Sequence, residues 1–189
     1  MHEDDERNGE SEASVPTPRM LAWAKNSAAY RLFRRMMTEH ELAAAIRRKA
    51  KQKFEDISEA QMDVLAQTAV DFGHRAGALD DQSYAEAKVR SGIRVGKSKR
   101  LIARKLKEKG VPAETATEAL QEADDCIAAI AFARKRAFGP YRRAPLDEKR
   151  LSKEISAFAR NGFSLDLAKQ VIDMHADDAE EALSQHPLT

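Results

Sequence analysis

The sequence predicts an all-α protein, elongated and built of stacked helical modules, on three observations. A helix-ending phrase occurs twice, as Leu106-Lys107-Glu108-Lys109-Gly110-Val111-Pro112-Ala113-Glu114-Thr115-Ala116 and, 52 residues later, as Phe158-Ala159-Arg160-Asn161-Gly162-Phe163-Ser164-Leu165-Asp166-Leu167-Ala168, with Leu120 and Ile172 also in register. In each copy a helical run reaches a Gly that takes the left-handed stop without a Cβ penalty, an apolar residue follows, and the next residues open a helix. A period near fifty with only helical signals describes stacked units, each too small to bury its own apolar face. Charged residues make up 33% of the chain and apolar ones 42%, with Ala, Arg, Lys and Glu abundant, so the composition favours helix while sufficing for a core. No segment alternates apolar and polar residues as a strand requires.

The elements follow in order. Residues 1–19 are polar and acidic with Pro16 and Pro18, and are expected to be a disordered tail. A first module, 20–78, opens with a helix from Leu21 to about Met37, whose Leu21, Ala24, Ala28, Leu32 and Met36 recur at helical spacing. Thr38 with Glu41, and Ser58 with Gln61, form capping boxes for the next two helices, the last stopping near Gly77. A second module, 79–123, begins where Asp80 or Asp81 caps a helix that ends around Ser91 to Gly92. Ser98 or a neighbour starts another over Leu101 to Lys109, and Pro112 opens the third at a position that tolerates its missing amide. A third module, 124–175, starts at Asp124 or Asp125 with Ile127, Ile130 and Phe132, and Gly139-Pro140 ends that run. Asp147 caps the helix carrying Leu151, Ile155 and Phe158, and Ser164 caps the last, to about Met174. Residues 176–189 read as an acidic C-terminal tail.

The formal net charge of +1 conceals an uneven distribution. Glu3, Asp4, Asp5, Glu6, Glu10 and Glu12 crowd one end, and Asp173, Asp177, Asp178, Glu180 and Glu181 the other, whereas residues 88–109 hold ten cations against Glu108 alone. Cys126 is the single cysteine, so no intrachain disulfide forms, and its apolar neighbours suggest a buried, unreactive thiol. The acidic N-terminus leads into no signal-type apolar region and no run is long enough to span a bilayer, so a cytoplasmic location is expected.

Catalytic motifs fail on spacing. Gly92-Ile93-Arg94-Val95-Gly96-Lys97-Ser98 resembles a phosphate-binding loop one residue too short, because Ser91 stands where its first Gly belongs. Asp71-Phe72-Gly73 has no companion kinase motif. His2, His40, His74, His175 and His186 lie singly, without metal-ligand spacing, and no nucleophile has a recognisable base. Neither enzyme activity, cofactor nor metal is expected.

The basic segment carries the candidate site. On a helical wheel Lys97, Arg100, Arg104 and Lys107 share one arc, away from Ile102 and Leu106, and acidic partners one turn away are nearly absent. Arg47-Arg48-Lys49, Arg134, Lys135 and Arg136, and Arg142 with Arg143, extend the basic character to all three modules. A stacked array would align them on one surface that tracks a phosphate backbone or an acidic groove. Trp23, Tyr30 and Tyr84 are expected in the core, leaving Tyr141 as the aromatic candidate for contact. The candidate contacts are thus Lys97, Arg100, Arg104, Lys107, Arg134, Arg136, Tyr141, Arg142 and Arg143.

Leu79-Asp80-Asp81-Gln82-Ser83-Tyr84-Ala85, then Lys99-Arg100-Leu101-Ile102 with Leu106 and Lys109-Gly110-Val111, then Phe138-Gly139-Pro140 and Leu151 to Ile172 with Gly162-Phe163, resemble the RecX family of bacterial recombination regulators. The resemblance covers roughly 79–173 well. It is weaker over 21–76, where the first helix ending expected at 50–57 lacks its Gly. It implies an all-α fold of three tandem three-helix modules in an elongated, curved array, and a protein that binds the RecA filament on single-stranded DNA, restraining its ATPase, strand-exchange and co-protease activities; a monomer is expected. The alternative is a general DNA-binding helical module with no RecA partner.

Overall fold

A computed structural model describes residues 15–186 of the chain. The acidic run from Glu3 to Glu12, and most of the tail expected over 1–19, lie outside the described residues. Among the described residues there are ten α-helices and no strand: α1 (Pro18–Arg34), α2 (Glu39–Lys53), α3 (Glu59–Arg75), α4 (Asp81–Arg94), α5 (Lys99–Glu108), α6 (Ala113–Ala119), α7 (Asp125–Arg136), α8 (Glu148–Arg160), α9 (Leu165–Ile172) and α10 (Ala176–Gln185), with a 3-10 turn at Gly139–Tyr141. Capping chemistry sets the starts. The hydroxyls of Thr17, Thr38, Ser58, Ser98 and Ser164 and the carboxylates of Asp80, Asp124 and Asp147 accept amides of the first helical turns, each cap stabilising its helix by about 1 kcal/mol. Ser58 and Gln61 form the reciprocal box, whereas Glu41, near the Thr38 amide, also pairs with Arg35 and Lys109.

The chain divides into two compact units, one of residues up to 84 together with 109–111, the other of 85–108 and the residues from 112 onward. The expected second and third modules, 79–123 and 124–175, therefore fall largely within one unit.

In the first unit α1 and α2 pack on α3. Fully buried Ala24 and Ala28 on α1 and Ala69 on α3 keep these helices thin at the contact, and Leu42, Ile46 and Leu65 fill the core. Trp23 meets Phe54 edge to face, with ring centroids 5.1 Å apart. Tyr84 is buried as expected, but Tyr30 and Met36, which the spacing placed in the core, are 63% and 51% exposed. Helix α1 ends at Arg34, so Met36 leaves the helical register, and Tyr30 falls outside the stripe set by Ala24 and Ala28.

In the second unit every residue of α7 from Ile127 to Ala133 is buried, as befits a helix apolar on all sides. Phe132 packs edge to face on Phe158 at 5.1 Å and lies 6.0 Å from both Phe138 and Phe163, contacts worth about 0.5–1.5 kcal/mol per pair beyond area burial. Helix α7 stops with Ala137 in the left-handed region at φ 54°, an uncommon role for a residue bearing a Cβ. Within the segment expected as an acidic tail over 176–189, Ala176–Gln185 form α10, packed on α7, and 187–189 lie outside the described residues. Ala179 and Leu183, one turn apart, supply its buried face, and Asp177 and Asp178 in the first turn complement the helix dipole.

The sequence repeat marks a joint made twice. Thr38, fully buried, donates its hydroxyl hydrogen to the Lys109 carbonyl at 2.6 Å, just before Gly110 at φ 75°. Ser98, equally buried, donates to the Asn161 carbonyl at 2.7 Å, just before Gly162 at φ 86°. One hydroxyl thereby starts a helix and satisfies the end of another. Gly110 seats on His40 and Gly162 on Ser98, each where a Cβ would overlap the neighbour.

Candidate functional site

The basic surface of the second unit is organised around α5. Ile102 and Leu106 bury one side of this helix, leaving Arg100, Arg104, Lys105 and Lys107 exposed on the other. Ser98 accepts the Leu101 amide at 3.1 Å and the Asp125 carboxylate takes the Lys99 amide at 2.6 Å, fixing the start of the helix. Helix α4 reaches Arg94, beyond the expected stop at Ser91 to Gly92, because Gly92 stays helical, its missing Cβ leaving room for Ile102. Gly96 at φ 77° then makes the stop, with the Lys97 amide donating to the Gly92 carbonyl at 2.9 Å. Lys97 consequently lies in the turn before the N-cap, not on the arc of α5.

From that turn Lys97 faces other cations. Its ammonium pKa is pushed down by partial burial and by the positive charges of Lys105, Lys135 and Lys88. These groups come from α4, the turn, α5 and α7. Repulsion among these like charges is an electrostatic cost that an anion would relieve. Lys105 and Lys135 were not among the residues selected from the sequence. A wheel centred on Arg100 and Arg104 set Lys105 to one side, and nothing local links Lys135 to Lys97.

The structure separates the remaining candidates. Arg100, Lys107 and Arg143 are exposed. Arg104 faces Glu108 one turn on, at 3.6 Å, and Arg134 faces Glu180 of α10, also at 3.6 Å, so both charges are partly offset. Arg136 lies 5.8 Å from the Phe138 ring centroid.

Two of the expected contacts have partners within the fold. Arg142 binds the Glu154 carboxylate with both arms, Nε to Oε1 at 2.9 Å and Nη2 to Oε2 at 2.8 Å. Glu154 is 1% exposed and also accepts the Gly139 amide at 3.0 Å. Burial pushes this carboxyl up, but Arg142 and that amide outweigh it and hold the pKa below the ordinary value. Arg142 is therefore part of the packing. Tyr141 is half-buried with its hydroxyl enclosed, and burial together with the Glu180 carboxylate pushes its pKa up to about 12. Its hydroxyl is thereby turned into the fold rather than offered to a ligand.

In the first unit Arg47 pairs with Glu59 at 2.6 Å and with Asp63, so the 47–49 cluster is partly compensated. Cys126 is half-buried, its thiol pushed up by burial and by Asp124. Among the described residues no group of three or more His, Cys, Asp or Glu is placed to hold a metal, and no helix is long and apolar enough to cross a membrane.

Comparison with known proteins gives a consistent result. Residues 80–120 match the family model "RecX, second three-helix domain". The chain is 59% identical over 183 residues to the regulatory protein RecX of Agrobacterium fabrum (strain C58), covering 97% of this chain and 100% of that one. It is 33% identical to the RecX protein of Myxococcus xanthus (strain DK1622), covering 90% and 97%. The crystal structure of RecX from Lactobacillus salivarius superposes with a TM-score of 0.64 at 19% identity, over 87% of this chain and 99% of that one, which shows a shared fold.

Proposed function

The chain belongs to the RecX family, and from that premise we propose that it is a non-enzymatic, cytoplasmic regulator that binds the RecA nucleoprotein filament and restrains its ATPase, recombinase and co-protease activities. The observation that carries this reading is the 59% identity to a regulatory RecX protein across nearly the whole of both chains. In this reading Lys97, Lys105 and Lys135, with Arg100 and Lys107 beside them, meet the phosphates of the filament's single strand or acidic protein surface. Arg134, Arg136 and Arg143 extend that contact, and Arg104 joins it by exchanging Glu108 for an anion. A monomer suffices for this role.

The basic surface alone also suits a general DNA-binding module without a RecA partner. The test is the single-stranded-DNA-dependent ATPase of RecA from the same organism, titrated with this protein at fixed salt. Inhibition at substoichiometric protein is the expected result. No effect, or an effect only once the protein saturates the DNA, would favour the DNA-binding module.

A further inference from the structure

Helix α1 presents at its C-terminal end a surface that neither the core nor the lysine cluster uses. Tyr30 is 63% exposed, and Phe33, one turn on, is 94% exposed. Arg34 sits beside the Tyr30 ring, Nη1 donating to Oη at 2.5 Å with the guanidinium carbon 5.4 Å from the ring centroid, so a cation accompanies the aromatic pair. The helix carries Arg19, Lys25, Arg31 and Arg34 and no acidic residue. Two exposed aromatic rings on a helix of unmixed positive charge combine stacking faces with phosphate-attracting groups.

We propose that Tyr30 and Phe33 form a base-stacking platform for single-stranded nucleic acid, with the α1 cations drawing in its phosphates. The spacing argues for an unpaired strand. Residues three apart on a helix hold their Cβ atoms about 5–6 Å apart, wider than the roughly 3.4 Å rise per nucleotide of a duplex strand. Each ring can then take its own splayed base, whereas bases stacked in a duplex have no free face. Apolar rings would gain little from a duplex backbone, and the lack of any acid on α1 argues against a basic protein partner.

The platform needs no RecA and is tested without it. Binding of fluorescently labelled oligothymidylate by the full chain is measured across a salt series for the parent, Tyr30→Ala, Phe33→Ala and the ring-keeping Phe33→Tyr. Each alanine variant is expected to bind about fivefold more weakly or worse, while Phe33→Tyr stays within about twofold of the parent. The log–log salt slope and the melting temperature should not move, because no cation is lost and both side chains are exposed. The platform is overturned if the parent does not bind oligothymidylate, or if the alanine variants bind within about twofold of it. Alanine variants that keep DNA affinity yet lose their hold on RecA filaments would overturn it too, by making the patch a protein contact. A parent that inhibits the RecA ATPase without binding free oligothymidylate would sink the platform and leave the filament reading standing.

Discussion

Arg142 and Arg143 are adjacent and equally basic, yet their roles are opposite. Arg143 projects into solvent, whereas Arg142 neutralises the buried Glu154. Arg142→Ala leaves that carboxylate without its cation and should lower unfolding free energy by about 3–5 kcal/mol, while Arg143→Ala should stay within about 0.5 kcal/mol; urea denaturation of both variants reads the difference. The same pair sets a pH dependence. Because the folded state holds Glu154 below its ordinary value of 4.5, folding releases protons there. Its stabilisation is therefore complete above that value and lost as pH falls through the lower folded-state pKa. Glu41, held down by Lys109 and Arg35 against the opposing effect of burial, acts in the same direction. Urea midpoints measured from neutral pH downward should fall below about pH 4.5, and Glu154→Gln should flatten part of that decline.

Helices α3, α4, α5, α7 and α8 end on left-handed residues whose surroundings decide how much each position tolerates. Gly77 at φ 62° has nothing within 4 Å of where a Cβ would stand, whereas the Cβ of a residue at 162 would strike the Ser98 hydroxyl. Gly77→Ala should cost only the backbone strain, about 1 kcal/mol. Gly162→Ala adds the loss of a joint in which Ser98 both caps α5 and satisfies the Asn161 carbonyl, and should cost about 3 kcal/mol. Equal losses in thermal or urea melts would mean that the joint contributes nothing. These endings explain the legibility of the fold: glycine stops, hydroxyl caps and 3.6-residue spacing act within one turn, so sequence alone locates most helices. Helix α10 escaped because Asp177, Asp178, Glu180 and Glu181 mask a buried stripe of only two residues, Ala179 and Leu183.

Across the whole molecule the net charge of +1 says little about binding, since arrangement outweighs sum. Lys97, Lys105 and Lys135 converge from a turn and two helices, and Lys97 titrates low because it is partly buried among like charges. Replacing the three with Ala should reduce the log–log salt slope of single-strand binding by about 2, at roughly 0.7 per phosphate contact. The melting temperature should hold or rise as repulsion is removed. A falling melting temperature at unchanged slope would make these lysines structural instead.

The sequence by itself determined the helical class, the caps, the repeat with its paired glycines and the family, because those signals are carried by neighbours along the chain or by whole-chain similarity. Only the tertiary structure decided which cations are spoken for and which aromatics are exposed. Arg134 is turned towards Glu180 by the packing of α10 on α7, Arg142 is taken by Glu154, and Lys135 is brought to Lys97 by the approach of α7 to the α4–α5 turn. Phe33 was left in solvent when α1 committed its other face to α3. Charge and surface become available only after distant partners have been chosen, and those choices are made by packing.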